Sequence, residues 1–345
     1  MPGRITPWER LVASAHLEEV DFVQCYLPLR GATYRQAPEV DAAKRYPESY
    51  NAIPFYGLAA EPNPSLFGAK MDARNPDVES DWWEPVIKTE EDYDRLEMPD
   101  LKAALLPRAL ERHKQILGRL ERRGAAKQDY IPTASILGPV DLASQMRGYD
   151  RLLADFLRCP GKVHRLFDLL TRMNVEWIEL SQEVVGELKL LTLADHGLSF
   201  LSRKLYPIFG LPYWRRELSA APKEAVKWYH NEGHVTNVLE AVPEMGADVF
   251  HFGWVDIAEA KRRIGDRVCL CGNLNSTSLL LEGSKAQVAE AAKKAIDVAA
   301  PGSGFILSSS GGMAPKTPIE NVDAMYEVAC TYGKYPLQRR AGRRG

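Results

Sequence analysis

Residues 267–310 read RVCLCGNLNSTSLLLEGSKAQVAEAAKKAIDVAAPGSGFILSSS. The stretch opens on a short apolar run, Arg267–Leu270, and closes on another, Gly304–Ser308. Between them, Lys285 to Ala299 sets Val288, Ala292, Ala295, Ile296 and Ala299 on one side of a helix. Strand, helix and strand in that order imply parallel strands joined by helical crossovers. The same rhythm predicts strands at Asp21–Leu27, Tyr130–Leu137, Leu188–Ala194, Ala225–Tyr229 and Asp248–Phe252. A helix is predicted over Val163–Leu180, where Val163, Leu166, Phe167, Leu170, Met173 and Ile178 recur mostly at three- and four-residue spacing. Thr317, Pro318 and Glu320 predict a capped start for a last helix, with Ile319, Val322, Tyr326 and Ala329 as its apolar face.

This is an α/β chain, and 345 residues suit a single (β/α)8 TIM-type barrel. An open doubly wound sheet is the rival arrangement. Residues 33–85 carry many Pro, Tyr and Trp residues with little periodicity, which predicts a long irregular N-terminal excursion. One domain is expected over residues 1–345, with an N-terminal helix within 1–20 and a frayed tail at 336–345.

Composition narrows the function classes. With 44 basic and 46 acidic residues the net charge is −2, so no global field attracts a polyanion, and nucleic acid is not an expected partner. No apolar run reaches the roughly 18–20 residues needed to span a bilayer. The first ten residues have no apolar signal core, so a cytoplasmic protein without membrane partners is expected. Five cysteines without a C-x-x-C pair read as buried reduced thiols.

In a parallel α/β barrel the chemistry sits at the C-terminal strand ends. Asp195 and His196 follow one predicted strand, and His230-Asn231-Glu232-Gly233 follows another. His251 lies near the end of a third; Cys271-Gly272-Asn273 and Ser309-Ser310-Gly311-Gly312 follow two more. His230 and Glu232 alternate, so both can point to the barrel mouth and either share a divalent metal or act as base and orienting partner. A His and a Glu bound only to loop backbone would give the same spacing. Asp195 has a second role open to it as a helix N-cap, and His251 as a satisfied core histidine. The Ser308–Gly312 run has the composition of an anion-binding nest or of a plain flexible turn. No P-loop, dinucleotide fingerprint or G-x-S-x-G elbow is present.

Several segments together resemble the uroporphyrinogen decarboxylase superfamily, and its corrinoid-dependent methyltransferase branch more than its porphyrin decarboxylases. They are Ile5-Thr6-Pro7-Trp8-Glu9-Arg10, Gly138-Pro139-Val140-Asp141-Leu142-Ala143, Tyr229-His230-Asn231-Glu232-Gly233 with Glu244-Met245-Gly246-Ala247-Asp248, Gly272-Asn273, and Ile306-Leu307-Ser308 through Ala314-Pro315-Lys316-Thr317-Pro318. The decarboxylases' arginine-rich motif, Met-Arg-Gln-Ala-Gly-Arg, meets Leu29-Arg30-Gly31-Ala32-Thr33-Tyr34 here, so one arginine survives. The methyltransferases hold zinc through H-x-C and a later Cys; His230 matches the His, Glu232 stands at the first Cys and Gly311 at the second.

The resemblance implies a (β/α)8 barrel enzyme that moves a methyl group between a small methylated compound and a corrinoid (cobalamin) carried by a partner protein. Catalytic candidates are His230, Glu232, Asp195 and His196. Substrate-contact candidates are Arg30, Asn273, Ser310 and His251. His230 and Glu232 would hold zinc or another divalent metal, or act as acid and base without one. A decarboxylase of a small carboxylated substrate, using Arg30, Arg35 and Arg147, and a non-catalytic ligand-binding barrel are the alternatives. His196, His230, Glu232 and Asn273 are expected to face one cavity.

Overall fold

The structure, a computed structural model, describes residues 5–29, 41–58, 60–70 and 84–337. Among the described residues eight strands form parallel ladders: β1 (Gln24–Cys25), β2 (Phe55–Gly57), β3 (Ile131–Leu137), β4 (Leu190–Ala194), β5 (Val226–Asn231), β6 (Val249–Phe252), β7 (Cys269–Leu274) and β8 (Phe305–Ser309). The chain divides into two compact units. One comprises Met1–Ile53, Trp228–Pro243 and Ala247–Gly345; the other comprises Pro54–Lys227 and Glu244–Gly246.

The first unit carries the ladder β1, β8, β7, β6, β5. Every residue of β6 and β8 is buried, as expected for parallel strands covered on both faces. Register aligns His230 with His251, His251 with Cys271, and Cys271 with Ile306. Helices Lys285–Ala299 and Ile319–Thr331 follow β7 and β8. Ser284 and Gln287 form a capping box for the first of them. The opening helix, Pro7–Ala15, starts on a Thr6–Glu9 capping box with proline in its first turn. Its Arg10 is fully buried, pairs with both carboxylate oxygens of Asp21 at 2.6 and 2.9 Å, and donates to the carbonyls of Ile5 and Glu48.

The second unit carries the ladder β4, β3, β2. Ala134 and Ile136 of β3 are buried, while Thr133, Ser135 and Leu137 alternate with them toward the other face. Helices Pro139–Arg147, Tyr149–Arg158 and Pro160–Val185 fill the connection to β4. Leu137 pairs with Ala194, so the loops leaving β3 and β4 begin side by side.

The α/β class and seven of the strands follow the rhythm read from the sequence; β2, inside the aperiodic stretch, was not predicted. Short 3-10 and helical turns at Ala42–Arg45, Tyr50–Ala52 and Pro64–Phe67 fill the described parts of that stretch. The predicted strand at Asp21–Leu27 shortens to Gln24–Cys25, where its pairing with Ile306 and Leu307 lies. β5 and β7 instead run further than predicted, so His230 and Asn273 stand within strands. The last helix begins at Ile319 and has no side-chain cap. Thr317 donates its hydroxyl to the Ala314 carbonyl at 2.7 Å instead of capping the helix. Most of the tail at 336–345 lies outside the described residues. Cys25, Cys159, Cys269 and Cys271 are buried thiols, as expected, whereas Cys330 is only half-buried. No helix among the described residues is long and apolar enough to cross a membrane.

Candidate active site

In the first unit, β5 directs Trp228 and His230 to one face and buries Tyr229 and Asn231 on the other, where Tyr229 stacks on Phe250. His251, the partner of His230 in register, is 2% exposed and enclosed by the rings of Tyr26 and Trp228. Burial, then the neighbouring His230, push the His251 pKa down to about 3, so this imidazole is neutral.

Neutrality decides where its proton sits. His251 Nε2 lies 3.1 Å from the Ser309 carbonyl, which can only accept, so the proton is on Nε2. His251 Nδ1 is then an acceptor, and at 2.9 Å it takes the hydrogen of His230 Nδ1. A neutral His230 therefore carries its lone pair on Nε2, and that atom lies 3.3 Å from Glu232 Oε1. A lone pair facing a carboxylate oxygen at this distance is repulsive unless a proton or a cation stands between them. The strands thus present a nitrogen–oxygen pair ready for a positive centre.

Glu232 is held from the other side by the Gly312 backbone N–H, which donates to Oε1 at 3.1 Å. A Cβ on Gly311 would overlap the Glu232 carboxyl group, and Gly311 has φ +148. The carboxylate therefore occupies the space that a side chain at position 311 would fill. The two departures from the H-x-C and Cys pattern, Glu232 and Gly311, fit each other sterically. In the Ser308–Gly312 run, read from the sequence as either a nest or a flexible turn, the Gly312 N–H serves Glu232. Ser310 Oγ accepts from the Ser276 N–H at 3.2 Å, and Asn273 Nδ2 donates to the carbonyls of Gly253 and Val255. These two residues brace the loops around His230 and Glu232.

The second unit holds Asp195 and His196, together with Asp141, a partner that does not stand at a strand end. Asp195 is fully buried and does cap the turn that follows it, accepting the Gly197 N–H at 2.8 Å. Its other oxygen accepts from Val140 N and Trp214 Nε1. Burial, then the charge of Asp141, raise its pKa to about 7. A Cβ on Gly138 would overlap this carboxyl, so the glycine before the helix makes room for it. His196 Nδ1 lies 2.8 Å from Asp141 Oδ2. Asp141 stands four residues after β3, and the sequence offered it only as part of a family-like segment.

A cavity of about 850 Å³ also lies in the second unit, lined among others by Leu58, Leu105, Arg108, Arg112, Ser135 and Gln145. That volume suits a small-molecule ligand. Arg30 and Arg35 lie outside the described residues. Arg147 is buried and pairs with Asp155 at 2.7 Å while donating to the carbonyls of Ile87 and Lys88. It serves as a core ion pair.

Three comparisons with known proteins bear on this chemistry. The family model described as Uroporphyrinogen decarboxylase (URO-D) matches residues 41–332. A uroporphyrinogen decarboxylase from Anaeromyxobacter sp. is 28% identical over 249 residues, covering 70% of this chain and 68% of that protein. One from Coxiella burnetii is 27% identical over 261 residues, covering 70% and 67%. Among solved structures, a methyltransferase from Methanosarcina mazei covers 95% of this chain and 99% of its own with a TM-score of 0.68. At 20% identity that likeness speaks to the fold alone.

Proposed function

The chain belongs to the uroporphyrinogen decarboxylase family, and within it we propose a methyltransferase that moves a methyl group between a small methylated compound and a corrinoid carried by a partner protein. The single (β/α)8 barrel expected from the sequence rhythm is part of the same proposal, as are the catalytic roles of His230, Glu232 and His196. The observation that carries the reading is the pair His230 Nε2 and Glu232 Oε1, held 3.3 Å apart.

A divalent metal suits that pair. Two ligands on a tetrahedral ion with bonds of about 2.0–2.1 Å are separated by about 3.3 Å. His230 and Glu232 would hold it, and it would act as a Lewis acid on the heteroatom that carries the methyl group. Carboxylate and imidazole in place of thiolates favour a harder ion and an oxygen or nitrogen substrate over a thiol. The corrinoid would supply the nucleophile for the methyl group, or the donor in reverse. His251 keeps His230 in the tautomer whose lone pair faces the site, and the Gly312 N–H holds Glu232 beside it.

A decarboxylase of a small acid is the second reading. Arg108 and Arg112, lining the 850 Å³ cavity, favour it. Against it stands Arg147, which is taken up by Asp155.

Incubating the protein with cob(I)alamin and a panel of methoxy, methylamino and methylthio compounds tests the first reading. Methylcobalamin should form, and Glu232→Gln should slow it about 10²–10⁴-fold. No methylation across the panel, with carbon dioxide released from a carboxylated compound, would move the assignment to the decarboxylase. Elemental analysis of protein purified without chelator checks the metal, which should disappear in His230→Ala.

A further inference from the structure

Every described residue lining the cavity of about 850 Å³ belongs to the second unit, and two walls define it. One wall is the paired face of β2 and β3. Thr133 and Ser135 stand two apart on β3, so their side chains leave the same face, and both line the cavity. Ser135 is exposed although β3 is the middle strand of the ladder β4, β3, β2. A side chain in mid-ladder reaches solvent only where that face of the sheet is left open. Gly57, the register partner of Thr133, adds no side chain there, and a Cβ on it would overlap the Thr133 carbonyl oxygen.

The other wall is helix Leu106–Arg122 with the residue before it. Leu105, Arg108, Arg112 and Ile116 follow one another at three- and four-residue spacing, so they form one stripe, and all four line the cavity. A different face fixes the rotation of the helix: Ala109, His113 and Leu120 are buried, and His113 Nδ1 donates to the Gly57 carbonyl at 3.1 Å. A plainly solvated stripe would not carry Leu105, which is 5% exposed, or the half-buried Ile116. Two guanidinium groups one turn apart repel each other, and Glu61 is the one acid among the described lining residues, so positive charge prevails in the cavity. Guanidinium forks hold carboxylate or phosphate oxygens through paired N–H donors. Phe55, Leu58 and Leu137 join Leu105 and Ile116 in offering apolar surface beside those forks.

We propose that this cavity binds an organic oxyacid, its carboxylate or phosphate head held by Arg108 and Arg112 and its apolar body laid along Leu105, Ile116 and the β2–β3 face. Thr133 and Ser135 offer hydroxyl groups to polar substituents on that body. The site depends on neither methyl transfer nor decarboxylation: those reactions are tested by their products, and this site by binding alone.

Isothermal titration calorimetry on the full chain with 2-naphthoate, 2-naphthyl phosphate and the neutral 2-naphthamide tests it, because the three probes share one ring system. At least one anion should bind, and the amide about 10-fold more weakly or worse, since hydrogen bonds to charged groups are the stronger kind. Binding of naphthoate alone would assign a carboxylate head, of naphthyl phosphate alone a phosphate, and of both an acid of either kind. Arg108→Gln and Arg112→Gln should each weaken the anion about 10-fold and leave the amide unchanged. Both side chains reach solvent, so circular dichroism should show the fold intact. Ser135→Leu, which adds bulk on the strand wall, should weaken anion and amide alike. An amide that binds as tightly as the anions would overturn the proposal without recourse to any variant. Absence of binding by all three probes, or anion binding that survives Arg108→Gln and Arg112→Gln together, would overturn it as well.

Discussion

Replacing Gly311 with alanine tests the steric fit between positions 232 and 311. The added Cβ has two costs. At φ +148 a non-glycine residue occupies strained backbone, about 1–3 kcal/mol. The same Cβ overlaps the Glu232 carboxyl, so that group must leave the Gly312 N–H it accepts at 3.1 Å. Losing a hydrogen bond to a charged group costs about 1.5–3 kcal/mol. Gly311→Ala should therefore destabilise by about 2.5–6 kcal/mol, the sum of these two contributions. In a Glu232→Ala background the second cost has already been incurred, and only the backbone strain remains. The double-mutant cycle should thus show a coupling of about 1.5–3 kcal/mol, readable from urea unfolding midpoints at constant slope. If the two substitutions add to within about 0.5 kcal/mol, the carboxylate does not occupy the space at position 311.

Three further outcomes follow from the same geometry. The folded-state pKa of His251, about 3, lies below its unfolded value, so unfolding takes up a proton below about pH 6.5. The contribution is complete above that pH and shrinks as pH falls toward 3; at pH 5 it should cost about 2 kcal/mol, a loss that denaturation of His251→Asn should lack. Arg10→Met leaves Asp21 and Glu48 without their buried partner and should lower stability by about 3–5 kcal/mol in urea unfolding. Asn273→Ala removes both bonds to the loop after β6; it should weaken methyl transfer and metal retention while the circular dichroism spectrum stays unchanged.

The sequence alone determined the α/β class, seven of the eight described strands and the helix at Lys285–Ala299, because periodicity and turn residues act over a few neighbours. It also singled out His230, Glu232 and His196, since a strand end can be read locally once the strands are known to be parallel. β2 escaped because three residues carry too short a pattern. What only the tertiary structure decided was which groups meet. Asp141 reaches His196 across 55 residues, and the Gly312 N–H reaches Glu232 across 80. No local pattern encodes such pairings; they arise from strand register and from the space each side chain leaves its neighbour. The protons followed the same rule: the Ser309 carbonyl sets His251, His251 sets His230, and Asp141 sets His196. Each tautomer depends on an acceptor that folding brings within about 3 Å.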